Sequence, residues 1–127
     1  MIDHTGLHVS DPQKSRRFYE KALAPLGYKE LMEVPSEYTD GVVVIGYGVP
    51  PKPDFWMSGG TPDPEFHIAF RADNRKQVDE FYHAAVAAGG KDNGSPGLRP
   101  EYHEHYYGAF VLDPDGHNIE ACCHNPE

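Results

Sequence analysis

The chain has 127 residues, with 20 acidic and 11 basic side chains and a formal net charge of -9. That length is one domain's worth, and a surface of that sign repels phosphate backbones and anionic lipid, which argues against nucleic acid and membranes as partners. No apolar run approaches the roughly 18 residues of a membrane span, and the opening Met1–Asp11 has no secretory apolar core. The two cysteines, Cys122 and Cys123, are adjacent; neighbours on a strand point to opposite faces, so they are unsuited to pairing, and a reducing cytoplasm is the expected location. Eight histidines in so short a chain direct attention to metal or acid–base chemistry.

In chain order, residues 3–9 (DHTGLHV) read as a short strand. Asp11 is a helix N-cap, and Pro12 follows where a first turn does not need its missing N–H. Phe18, Ala22 and Leu26 recur at helical spacing, and Gly27 ends the helix. Strand-like runs follow at Tyr28–Glu33, Val42–Tyr47 and Asp54–Met57, with Pro50-Pro51-Lys52-Pro53 as a stiff turn. Gly59 to Pro64 reads as a linker. A second strand lies at 66–72 (FHIAFRA), then a helix capped by Asn74 with Val78, Phe81 or Tyr82, Ala85 and Val86 on its apolar face, stopped at Gly89-Gly90. A loop-rich strand around 91–100, then Tyr107–Leu112 and Asn118–Cys122, complete the chain, with the turn Asp113-Pro-Asp-Gly116 joining the last two.

The second half repeats the first. Shifted by 63 positions, His4 falls on His67, Phe18-Tyr19 on Phe81-Tyr82, Ala22 on Ala85 and Gly27 on Gly90. Each half reads β-α-β-β-β, giving an α+β fold of two tandem modules, 1–58 and 66–123, joined by residues 59–65. Two such copies meeting through strand faces would bring matching side chains together. His4 and His67 are one such pair, and Glu120 lies among apolar residues on the last strand, where a carboxylate is costly without a partner. Two imidazoles and one carboxylate suit a divalent transition metal with open positions. The same shift sets Met57 opposite Glu120, and a one-residue slip sets Trp56 or Ser58 there. None is a good hard ligand, so three protein ligands are expected.

The run His4-Thr-Gly-Leu-His-Val-Ser-Asp11 followed by Ser15-Arg-Arg-Phe-Tyr19, with His67-Ile-Ala-Phe and Asp113-Pro-Asp-Gly-His-Asn-Ile-Glu120, resembles the vicinal oxygen chelate superfamily. That superfamily includes glyoxalase I, extradiol dioxygenases and the fosfomycin and bleomycin resistance proteins. The resemblance implies an open, cleft-containing β-barrel, a homodimer with modules paired within or across chains, and a divalent ion (Fe, Mn, Ni, Zn or Co) on His4, His67 and Glu120. Extradiol enzymes carry a tyrosine three residues before the final Asp-Pro; here Phe110 stands in that place, with Tyr106 and Tyr107 as the neighbouring phenols.

His8 is four residues from His4 and shares its face on a strand. Arg99 is expected to anchor a substrate carboxylate, and Phe55, Trp56 and Met57 to form an apolar wall. In the segment 99–107, His103 and His105 share a face if it is extended, with His103 as general acid or base, Glu120 as the second catalytic group, and His105 and Tyr107 as substrate contacts. The expected activity is a metal-dependent lyase or isomerase acting on vicinal oxygens of a small molecule. An extradiol-type dioxygenase and a metal-free, ligand-sequestering protein are the alternatives.

Overall fold

The computed structural model describes residues 1–126. β1 (Thr5–Val9) leads through the Asp11 cap into α1 (Pro12–Leu23), whose first turn is closed by the Asp11 carboxylate accepting from the Lys14 N–H. A 3-10 turn, Ala24–Leu26, ends on Gly27 at φ +83°, a left-handed position that costs glycine little. β2 (Lys29–Glu33), β3 (Val44–Gly48) and β4 (Phe55–Gly59) complete the first unit. The second repeats it with β5 (His67–Arg71), α2 (Arg75–Ala87), β6 (Lys91–Leu98), β7 (Tyr107–Leu112) and β8 (Asn118–Cys123). Asn74 caps α2 by accepting from the Gln77 N–H.

The strands form two four-stranded mixed sheets, ordered β1-β4-β3-β2 and β5-β8-β7-β6, with no closed barrel among the described residues. In each, the first strand runs parallel to the last of its unit and the remaining pairs are antiparallel. The helices pack on each other, and α2 lies on β6, β7 and β8, so one apolar cluster serves both units. Phe70 of β5 joins them, edge-on to Phe55 and to Tyr28, each at 5.2 Å between ring centroids. No helix among the described residues is long and apolar enough to cross a membrane.

Strand alternation then divides the side chains. Leu7, Val9, Ile45, Tyr47, Phe55, Met57, Phe70, Ile119 and Cys123 point into the core under the helices. The opposite face carries His67, Ala69 and Arg71 of β5, all exposed, and His8 of β1. Three expectations are corrected here. Phe55 and Met57 are 1% and 0% exposed core residues rather than a cleft wall. Val86 is exposed, because helical spacing already commits Val78, Phe81 and Ala85 to the core face. The segment before β7 is a hydrogen-bonded turn, closed by Arg99 N–H to Tyr106 O and Tyr106 N–H to His103 O, so His103 and His105 do not share an extended face.

Candidate functional site

Cross-strand pairing sets Ala69, Glu120 and Phe110 side by side across β5, β8 and β7. Glu120 therefore belongs to the face away from the helices, yet it is only 3% exposed. Two groups account for that burial. His67 Nε2 lies 3.2 Å from Glu120 Oε1, and the Tyr106 hydroxyl donates to Glu120 Oε2. The other His67 nitrogen, Nδ1, is 2.9 Å from the Asn118 carbonyl. A carbonyl only accepts, so Nδ1 carries the hydrogen and Nε2 is the nitrogen turned to the carboxylate. In that tautomer the Nε2 lone pair and Glu120 Oε1 are turned towards each other, as two ligands of one cation would be. The donor set fits two neighbouring ligands of one divalent ion.

The flanks of this pair are built from stacked rings. The Phe110 ring lies 6.3 Å from the His67 ring, nearly parallel at 26°, and the Arg99 guanidinium lies 5.4 Å from the Phe110 centroid. Arg99 also donates to the carbonyls of Gly97 and Ser95. Gly94 makes room for this stack, since a Cβ there would stand 2.9 Å from Phe110 Cδ1. Gly108 does the same on β7, where a Cβ would stand 3.1 Å from Glu120 Oε2. Burial, followed by the bond to Glu120, raises the Tyr106 phenol well above the ordinary tyrosine range.

Other expected site residues fall elsewhere. His4 precedes β1, pairs with Asp3 at 2.8 Å, and lines a separate hollow with Tyr28, Asp54, Ala69 and Arg71. His67 lines a different hollow, of about 360 Å³, with Phe66 and Asn118. Among the described residues no three His, Cys, Asp or Glu side chains are grouped to hold a metal. The set of His4, His67 and Glu120 is thus not assembled within one chain, whose two units meet chiefly through α1 and α2. His8 is exposed and its backbone N–H donates to Asp63. Tyr107 faces α2, donating to Asp79 at 2.7 Å under the Arg75 guanidinium, and is not at the site. His105 is partly exposed and faces Glu104 at 3.8 Å.

His103 is exposed, with Nε2 at 2.7 Å from His124 Nδ1. The second ring nitrogen of His124 is 3.8 Å from Cys122 Sγ. Both cysteines are free, with Cys122 two residues beyond Glu120 on the same face and Cys123 in the core. The sequence offered no signal for His124, or for Tyr106 as the partner of Glu120, because both contacts depend on how the 99–106 turn folds back over β8.

In the first unit, Gly6 pairs with Trp56 as Ala69 pairs with Glu120 in the second. Trp56, not Met57, therefore occupies the place of the carboxylate. The continuous shift fails by one residue at this strand because the loops between the helix and the last strand differ in length.

Two βαβββ units with a histidine and a carboxylate paired on the sheet face opposite the helices define a glyoxalase-type protein. A family profile described as the Glyoxalase/Bleomycin resistance protein/Dioxygenase superfamily matches residues 1–121, and the chain belongs to that family. No curated protein matches the sequence. Among solved structures, a glyoxalase/bleomycin resistance protein from Albidiferax ferrireducens T118 is 26% identical, with 97% of this chain and 98% of that one covered and a TM-score of 0.73. The fold is also that of a glyoxalase I mutant from Zea mays (19% identity, TM-score 0.69), of which 95% of this chain covers 43%. It is shared as well by a mutant of the fosfomycin resistance protein FosX from Listeria monocytogenes, solved with Mn(II) and a dihydroxypropylphosphonic acid (20% identity, 95% and 87% covered, TM-score 0.64).

Proposed function

We propose that this chain is a metal-dependent enzyme of small molecules, a lyase or isomerase, working as a homodimer. His67 and Glu120 of one chain supply two ligands, and His4 of a second copy supplies the third. The observation that carries this reading is the 3.2 Å approach of His67 Nε2 to Glu120 Oε1 on the sheet face opposite the helices, with His4 of the same chain lining a different hollow. Pairing the histidine-bearing sheet faces of two chains would bring His4 of one copy to the His67–Glu120 pair of the other. The Mn(II) and vicinal diol in the FosX structure are consistent with it.

A bound divalent ion would polarise two neighbouring oxygens of the substrate and stabilise the anion that develops on them. The chain's own residues do the rest. Asn118 holds the His67 ring in the tautomer that offers Nε2. Arg99, over Phe110 beside the pair, is placed to meet a substrate anion. Trp56, half-buried on the first sheet, would line the opposite wall in the dimer. His103 and His124 form the exposed rim, where a proton can exchange with solvent.

Complementation tests the shared site. His4→Ala and His67→Ala each lack one ligand, and each is expected to bind Co(II) at least about tenfold more weakly than wild type. Mixed after reversible dissociation, the two variants form heterodimers in which one of the two sites is intact. Calorimetric Co(II) titration of the mixture should recover tight sites, fewer than one per two chains. No recovery in a verified heterodimer would refute the shared site.

The extradiol dioxygenase reading is the less favoured branch, because Phe110 offers no phenol and the one phenol beside the pair, that of Tyr106, is already committed to Glu120. Oxygen uptake on catechols by iron-loaded protein would restore it. The metal-free sequestering reading draws on the separation of His4 from the other two groups. Wild-type protein with no affinity for divalent metal would select it.

A further inference from the structure

We infer that Tyr106 is a positioning residue for Glu120, holding one carboxylate oxygen so that only the other is presented to a metal; this rests on the metal reading above. The hydroxyl of Tyr106 donates to Glu120 Oε2, and Oε1 is the oxygen turned to His67 Nε2. The two oxygens of one carboxylate thus have different occupations. A carboxylate with one oxygen committed to a phenol binds an ion through the other alone. With two imidazoles it would make up a three-ligand set, leaving the remaining positions to substrate oxygens.

The placement of Tyr106 is built rather than incidental. Its backbone closes the 99–106 turn at both ends, through its carbonyl to Arg99 and its N–H to His103. Its ring is held edge-on by three others: Tyr102 at 5.0 Å, His103 at 5.4 Å and His124 at 5.1 Å between centroids. Gly108 keeps the path open, because a Cβ there would stand 3.2 Å from Tyr106 Cε1 as well as 3.1 Å from Glu120 Oε2. Three unrelated features, a closed turn, a ring cage and a glycine, therefore converge on one hydrogen bond. Phe110, directly across from Glu120 on β7, brings no hydroxyl, so the phenol reaches the site from the turn instead of from the strand.

The test is Tyr106→Phe, which keeps the ring and its packing and removes only the donor. Co(II) affinity is measured by calorimetry, and the visible spectrum of the cobalt-loaded protein reports the coordination sphere. The variant should bind Co(II) about tenfold or more weakly than wild type, with altered cobalt bands and thermal unfolding close to wild type. Tyr102→Phe, in the same turn but exposed, should match wild type in all three. Unchanged or tighter Co(II) binding by Tyr106→Phe, or an unchanged cobalt spectrum, would overturn the inference while leaving the metal reading in place. Absence of Co(II) binding by the wild-type protein would overturn both.

Discussion

Trp56 stands in the first sheet where Glu120 stands in the second: each lies on the last strand of its unit, directly across from the small residue two places after the leading histidine. The duplication is therefore chemically lopsided, with one carboxylate and one indole at equivalent places. The indole packs against Gly46, where a Cβ would stand 2.8 Å from Cζ3 and Cη2 and 2.9 Å from Pro53 Cβ. Gly46→Ala should displace the ring and cost about 1–3 kcal/mol by overpacking. Trp56 is the single tryptophan, so its emission reports the displacement without ambiguity. A red shift with lowered stability is expected; an unchanged spectrum would mean the ring is not seated as described.

Glu120 places function and stability in opposition. A carboxylate that is 3% exposed loses most of its hydration, and two contacts return part of it. Glu120→Gln keeps the acceptor for Tyr106 and removes the charge. Without metal, its stability should equal or exceed wild type by up to about 1 kcal/mol, as neutralising a buried charge relieves desolvation. Divalent metal at about a hundred times its Kd should stabilise wild type by about 2.7 kcal/mol and leave Glu120→Gln unmoved. Urea unfolding with chelator and with metal reads both effects. A variant stabilised by metal as much as wild type would remove Glu120 from the site.

Much of the fold was legible in the sequence because its signals are local. Asp11 and Asn74 cap helices, Gly27 ends one, and the 63-residue shift registers the first strand and helix of each unit. The site was legible only in part, because it depends on parity and on how two units meet. One extra residue in the loops exchanges Met57 for Trp56 at the last strand, and a period of two makes that the difference between core and cleft. His4 matches His67 in the repeat, yet a repeat fixes equivalence and not proximity. Tyr107 and Tyr106 are neighbours, and a turn sends one to α2 and the other to Glu120.

The ending Asp113-Pro-Asp-Gly-His117 is a structural device whose energetics depend on pH. Asp113 and His117 are 4% and 1% exposed. Asp113 Oδ2 accepts from Tyr19 at 2.5 Å and lies 2.8 Å from His117 Nδ1, while His117 Nε2 lies 2.9 Å from the Asp63 carbonyl. Both ring nitrogens thus meet acceptors, which suits the imidazolium. Burial alone would lower the His117 pKa, but the hydrogen bond and charge of Asp113, with the Asp63 carbonyl, outweigh it and raise the value above the ordinary 6.5. A raised folded value stabilises the protein fully below about pH 6.5 and loses that contribution as pH rises through the folded value. His117→Gln should therefore flatten the alkaline decline of Tm relative to wild type. Parallel curves for the two proteins would show that His117 does not titrate in the way its surroundings imply.

Phe70 stands at the junction of the two units. It is 5% exposed and sits between Phe55 and Tyr28 of the first unit while belonging to β5 of the second. Each unit alone has four strands and one long helix, and its apolar face is completed by the other unit through α1 against α2 and through Phe70. A shared core of this kind predicts a single cooperative transition for the wild-type chain. Truncating Phe70→Ala removes a ring from the centre of the junction and should cost about 3–5 kcal/mol. The loss should fall on both halves at once, seen as the same midpoint by Trp56 emission, which watches the first unit, and by amide exchange in β7 and β8, which watches the second. Different midpoints in the variant, with coincident ones in wild type, would show that Phe70 couples two units able to fold apart. Different midpoints in wild type itself would refute the shared core.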